Sequence, residues 1–223
     1  MKITIPARLA ATAVCTMAAS ILAVPKASAA EAEPWFVQIG PARIAFSERV
    51  TLSVAGTEVP GAGAKLTDNT TLVADIGYRF TPEWSAAVTI GIPPTTKVSG
   101  TGTAEPFGQF GDVQYAPLGL TGRYQLRTGS VEPYVGAGAV YYIATRARDG
   151  AIGSLSVKNA WGSVIQIGAE VPLSKDYGLV LDVKKLFLKT SAAGVLTAAG
   201  GAPVKADITL NPLVVQVGLS VHF

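Results

Sequence analysis

The chain has very little chemistry to spare. Its one cysteine, Cys15, and its one histidine, His222, stand at opposite ends of 223 residues. Cys15 lies in an N-terminal stretch read below as cleaved, so the mature chain has no disulfides, no thiol chemistry and no thiolate metal site. A single histidine leaves little for general acid–base or nucleophilic catalysis, which is usually built around an imidazole. No phosphate-binding glycine loop, triad spacing or metal-ligand cluster occurs, and the glycines of Tyr134 to Gly138 are packing glycines. Long apolar runs are missing too. Beyond the N-terminal region no segment approaches eighteen uninterrupted apolar residues, which excludes a spanning helix although the mean hydropathy is high at +0.38.

Acidic residues are absent from the first 29 positions. Met1 to Ala29 has a short basic start (Lys2, Arg8), an alanine-rich apolar stretch from Leu9 to Val24, and the small-residue site Ala27-Ser28-Ala29. This is the pattern of a secretory signal peptide, residues 1–29, with the mature domain at 30–223. A membrane anchor would need a longer apolar run. A lipoprotein would need a small residue where Val14 precedes Cys15. Lys2, Arg8 and Lys26 account for the whole formal charge of +3, and fifteen basic residues then face fifteen acidic ones. The balanced mature chain implies no nucleic-acid partner.

The clearest positive signal is the last eleven residues. Leu213, Val215, Val217, Leu219, Val221 and Phe223 share one parity, and Val214, Gln216, Gly218, Ser220 and His222 share the other. That period of two is a strand between two different environments, lipid outside and a polar lumen inside. A strand ending on Phe223 resembles the signal read by the barrel assembly machinery of Gram-negative outer membranes, so Phe223 is assigned to assembly. Seven further segments alternate, near Trp35–Ile44, Thr71–Phe80, Trp84–Val98, Val113–Leu126, Glu132–Arg146, Trp161–Val171 and Leu179–Lys184. The pattern predicts outward Ile76, Val88, Ile167, Leu181, Val217 and Leu219, and inward Asp75, Gln166, Asp182 and Gln216. In the fifth segment both parities are apolar or small, and its facing stays open.

Connections alternate strictly. Thr81-Pro82-Glu83, Arg127 to Val131, and Pro172 to Asp176 are short turns. Phe46 to Asn69, Ser99 to Asp112, Ala147 to Val157, and Thr190 to Ala206 are long joins. This predicts an all-β, eight-stranded antiparallel transmembrane barrel with short periplasmic turns and long external loops, in the outer membrane. A soluble eight-stranded barrel would turn its apolar parity inward and its charges outward. Aromatics near strand ends (Trp35, Tyr78, Phe80, Trp84, Tyr124, Tyr134, Trp161, Tyr177, Phe223) read instead as interface girdles.

Gly77-Tyr78-Arg79-Phe80-Thr81, the Trp84 strand into Ile92-Pro93-Pro94, Glu132 to Gly138, Ala160-Trp161-Gly162 through Gly168, Leu173 to Tyr177, and Asn211-Pro212 before the closing strand resemble the OmpW family of small outer-membrane proteins. Ala116-Pro117-Leu118-Gly119 departs from the Leu-Pro-Pro-Thr usual there, as does the Gly- and Ala-rich stretch from Ala55 to Ala64. The resemblance implies a narrow barrel associated with passage of small, often apolar, molecules.

Eight strands leave a lumen just wide enough for side chains. The inward parity carries Asp75, Arg79, Arg123, Gln166, Glu170, Asp182 and Lys184, and buried charges must pair, so these are expected to form a lumen plug. Leu186 and Leu188, higher on the seventh strand, are the candidate apolar pocket, from which a solute would leave sideways into lipid. Simple lumen packing by these leucines is the alternative. Lys185 breaks the outward parity and is expected to snorkel toward lipid phosphates. His222 is expected at the periplasmic rim, remote from any outer-leaflet chemistry. Expected partners are outer-membrane lipid and lipopolysaccharide, the assembly machinery and small apolar solutes, with no cofactor. A barrel whose external loops bind other surface components, without transport, is the competing reading.

Overall fold

The computed structural model describes residues 34–127 and 129–223. The signal peptide assigned to 1–29 lies outside the described residues. Eight staves run antiparallel, and most continue past the barrel into an upper extension. The first stave is β1 (Trp35–Ala45) with β2 (Glu48–Val54). A short β3 (Thr57–Glu58) precedes the second, β4 (Ala62–Leu66) with β5 (Asn69–Arg79). The third is β6 (Trp84–Gly91) with β7 (Thr95–Gly102). Then come β8 (Gln109–Gln125), β9 (Glu132–Asp149), β10 (Ile152–Val157) with β11 (Ala160–Pro172), β12 (Tyr177–Leu196), and β13 (Ala202–Leu210) with β14 (Leu213–His222). The ladder order β1-β5-β6-β8-β9-β11-β12-β14 closes when β14 pairs with β1, Val37 opposite Val221. Closure leaves no edge, which lipid demands of any sheet that crosses it.

The alternation resolves into two faces. Ile76, Ile167, Leu181, Val217 and Leu219 are exposed on the outside and Val88 half-exposed, whereas Asp75, Gln166, Asp182 and Gln216 are buried in the lumen. β9 settles its facing by placing Tyr134, Val140 and Tyr142 inward and Val135, Ala137 and Ala139 outward. The outward apolar belt runs from Phe80, Trp84, Tyr177 and Phe223 at the turn end up to Ile92, Leu118, Trp161 and Phe187.

The long joins are not irregular loops. A membrane strand needs about 9–11 residues, and β12 has 20 and β9 has 18. Their upper halves pair with β10, β13 and β8, so the joins are hairpins that carry the wall beyond the belt. Two seams in this upper wall have no ladder among the described residues, between β2 and β4 and between β9 and β10. Side chains span them instead. Glu48 accepts from the Leu66 N–H at 2.9 Å and Asp68 from the Phe46 N–H at 3.1 Å. Asn159 accepts from the Ala144 N–H at 2.9 Å.

Candidate functional site: the barrel lumen and its mouth

From the turn end upward the lumen has three layers. The lowest is polar, and all eight staves contribute to it. Lys184 Nζ donates to Asp75 Oδ2 at 2.9 Å, Asp182 Oδ1 at 2.7 Å and Gln216 Oε1 at 3.4 Å. An ammonium has three donors, so Lys184 is saturated. Arg123 Nη2 lies 3.0 Å from Asp75 Oδ2 as an ion pair without hydrogen-bond alignment, while Nη1 donates to Gln38 Oε1 at 2.7 Å. Thr89 donates to Asp75, and Gln166 and Tyr134 both donate to Asp182. Gln38 continues to Glu170 at 3.4 Å, and Glu170 meets His222 Nε2 at 2.6 Å.

Asp75, Arg123, Gln166, Glu170, Asp182 and Lys184 thus form one connected network. Arg79 stands at its margin, half-buried, with its guanidinium 5.8 Å from the Phe36 ring centre. Three carboxylates face Lys184, Arg123 and Arg79, so the charges balance, as a low-dielectric lumen requires. Several members were not assigned to the plug from sequence. Tyr134, expected in the interface girdle, is 3% exposed and sits inside, its ring laid over Gly168. A Cβ at Gly168 would come within 2.4 Å of that ring. His222, expected as a rim residue, is drawn into the network by Glu170 and Ser220. Lys185 does not snorkel; its ammonium donates to the Asn211 carbonyl where β13 passes into β14.

The middle layer is packed and apolar. Leu186 and Leu188 belong to it, buried with Ala42, Ile44, Val140, Val164 and Val214. Tyr115 stacks on Tyr142 at 5.6 Å between ring centres, and Phe46 meets Tyr115 edge-on at 5.9 Å. The cavity lies one layer higher. It has a volume of about 110 Å³ and is walled by Leu52, Phe110, Ile152, Leu196, Val204 and Ala206, with Tyr142 at its floor. Leu186 and Leu188 do not line it; they pack beneath it, which corrects their assignment as the pocket. The walls of the cavity belong to the long joins, whose residues alternate as the staves below them do.

Beside the aromatic floor the membrane wall is interrupted. The β6–β8 ladder ends at Thr89 opposite Gly119, and pairing resumes only at Thr95 opposite Gln114. Pro93, Pro94 and Pro117 in this stretch have no N–H to give. The Tyr115 N–H to the Pro94 carbonyl, at 3.2 Å, and the Gln114 amide to Pro93, at 3.3 Å, hold the two staves together there. Among the described residues no three His, Cys, Asp or Glu converge as metal ligands.

These features can be set beside known proteins. The OmpW family profile matches residues 32–223 of the 223-residue chain. The chain belongs to the OmpW family. It is 37% identical to the dibenzothiophene metabolism operon protein PahQ of Pseudomonas aeruginosa, over 87% of this chain and 90% of that one. It is 27% identical to the outer membrane protein AlkL of Ectopseudomonas oleovorans, over 85% of this chain and 82% of that one. Among solved structures, OprG from Pseudomonas aeruginosa superposes with a TM-score of 0.81 at 20% identity, over 86% of this chain and 97% of that one, and shares the fold. AlkL in lipid bilayers superposes at 0.68 with 27% identity, covering 90% and 95%. As an OmpW-family barrel, the protein resides in the outer membrane, with its belt in lipid.

Proposed function

We propose that this barrel admits small apolar molecules from outside and releases them sideways into the outer membrane, above a lumen plug. The observation that carries this reading is the order of the layers: apolar cavity, aromatic floor, interrupted wall, then paired charges. Burying apolar solute surface in the cavity contributes about 25 cal/mol per Å². Passage below Leu186 would force the solute among desolvated ions that already satisfy one another. The interrupted stretch at Pro93, Pro94 and Pro117 has fewer backbone bonds to part and opens at the level of lipid-facing Ile92 and Leu118. The name of one relative points the same way, since PahQ is a dibenzothiophene metabolism operon protein.

The lumen chemistry supports binding and passage over catalysis. Glu170 and Ser220 both meet His222 at Nε2. An imidazole relaying a proton would use its two nitrogens for two partners. Filling the cavity with Ala206→Trp tests the reading. Uptake of a fused aromatic solute by cells is expected to fall at matched barrel abundance. Unchanged uptake would leave the barrel as a surface-interaction protein.

A further inference from the structure

The outer wall just above the apolar belt carries a second feature that the lumen does not use. In the lower part of β9 even-numbered residues point inward, from Tyr134 to Tyr142. Continued alternation would bring Arg146 and Arg148 into the apolar mouth. A β-bulge prevents it. Tyr115 pairs with Ala144 but Gln114 pairs with Arg146, leaving Thr145 as the extra residue. Thr145 Oγ1 donates to the Gln114 carbonyl at 3.0 Å and fixes the irregularity. Bulges re-aim side chains in this way, and here two arginines change faces.

On the outside they join two cross-strand rows. Thr95, Gln114 and Arg146 form one, and Lys97, Asp112 and Arg148 the other. Thr96 and Val113, between the rows, are buried inward, so both rows face out. A recess of about 70 Å³ lies among Thr95, Asp112, Gln114, Arg146 and Arg148. Three cations surround one carboxylate, and Asp112 accepts from Gln109 at 2.8 Å. Lys97, Arg146 and Arg148 make no ion pair with any described residue. The rows start four residues above Leu118 on β8, about 13 Å along the strand, where the belt has given way to the headgroup layer.

We propose that this bulge-built patch binds the phosphate groups of the outer leaflet's phosphorylated glycolipid. Guanidinium groups match phosphate oxygens in bidentate pairs, and the apolar belt below receives the acyl chains of the same molecule. The patch anchors the barrel at fixed depth directly above the interrupted stretch between β6 and β8.

The test uses the full barrel in detergent micelles, with bound lipid read by native mass spectrometry. The probes are bisphosphorylated lipid A, its dephosphorylated counterpart and inorganic phosphate. The wild-type barrel is expected to bind the bisphosphorylated lipid at least about tenfold more tightly than the dephosphorylated one, the scale of one charge-assisted hydrogen bond. K97Q/R146Q/R148Q should erase that preference. R49Q/K189Q, removing the cations flanking Thr209 on another part of the wall, should keep it. Should the triple variant not fold, R148Q alone should reduce the preference. Equal binding of the two lipids by wild type, loss of preference in both variants, or retention in the triple variant would overturn the proposal. Displacement of the lipid by millimolar inorganic phosphate would identify a free-anion site instead and overturn it too.

Discussion

Tyr134 reaches over β11 on the lumen face to donate to Asp182 Oδ2 at 2.6 Å, joining β9 to β12. The contact exists because Gly168 leaves room for the ring between them. Tyr134→Phe removes one of the two donors to Asp182 Oδ2, leaving Gln166, and should destabilise the barrel by about 1.5–3 kcal/mol, the contribution of a hydrogen bond to a charged group. Gly168→Ala should displace the ring and destabilise to a comparable extent. Urea unfolding in lipid vesicles measures both, and additivity in the double variant would show that the two changes do not act on one contact.

Lys184 is the hub of the charged layer. Lys184→Met leaves Asp75 and Asp182 facing each other in the lumen and should cost about 3–5 kcal/mol. Adding Asp182→Asn should recover part of that loss, because the remaining carboxylate keeps Arg123 as its partner. The same unfolding measurement reads the recovery; a double variant less stable than K184M would contradict it.

Leu181 and Asp182 are neighbours with opposite surroundings, half-exposed to lipid and fully buried. Arg at position 181 should cost roughly 2–4 kcal/mol near the bilayer midplane. Spin labels at 181 should be quenched by a lipid-soluble relaxant, and labels at 182 should be protected from it.

Phe223 closes the seam: its N–H donates to the Trp35 carbonyl at 3.0 Å, and its own carbonyl accepts from Trp35 at 3.1 Å. Its ring stands out in the lower girdle, far from the mouth. Its deletion should lower the amount of inserted barrel and leave the inserted fraction's uptake near wild type. Insertion kinetics equal to wild type would remove the assembly role.

Asp149, in the external hairpin between β9 and β10, accepts from the N–H groups of Leu155 and Ser154, each at 2.8 Å. These bonds, the Leu155 one foremost, hold its carboxyl below the ordinary value of 3.8. The folded pKa is therefore depressed relative to the open hairpin. The hairpin's ordering is fully present above pH 3.8 and is lost as the pH falls through the folded value. Leu155 lines the cavity, so its methyl resonances should shift across that acid window. Asp149→Asn should give the same shift at neutral pH.

The sequence made the lipid-facing surface legible because lipid tolerates only apolar side chains, so the parities of β5, β11 and β14 are nearly pure. The plug was legible for the same reason in reverse, since Asp75, Arg123, Asp182 and Lys184 stand on the opposite parity. β9 was not legible. Of its inward small residues, Gly136 stands against Gln166 and Arg123 and Gly138 against the β8 backbone, and Ala137 and Ala139 face lipid, so size and polarity carry no contrast. The shift of Arg146 and Arg148 depends on a bulge, which no periodicity announces. Leu52, Leu196, Val204 and Ala206 alternate in segments read as joins, and the cavity they wall was placed one layer too low, at Leu186 and Leu188.

The central claim is that apolar solutes enter and leave sideways while the turn end of the lumen stays shut. The direct measurement follows transfer of a fluorescent fused aromatic from donor vesicles into vesicles carrying the barrel, with ionic conductance recorded across a planar bilayer of the same preparation. The account predicts faster transfer into the membrane of barrel-containing vesicles, with no steady ionic conductance. Conductance through the wild-type barrel, or transfer no faster than into protein-free vesicles, would contradict it.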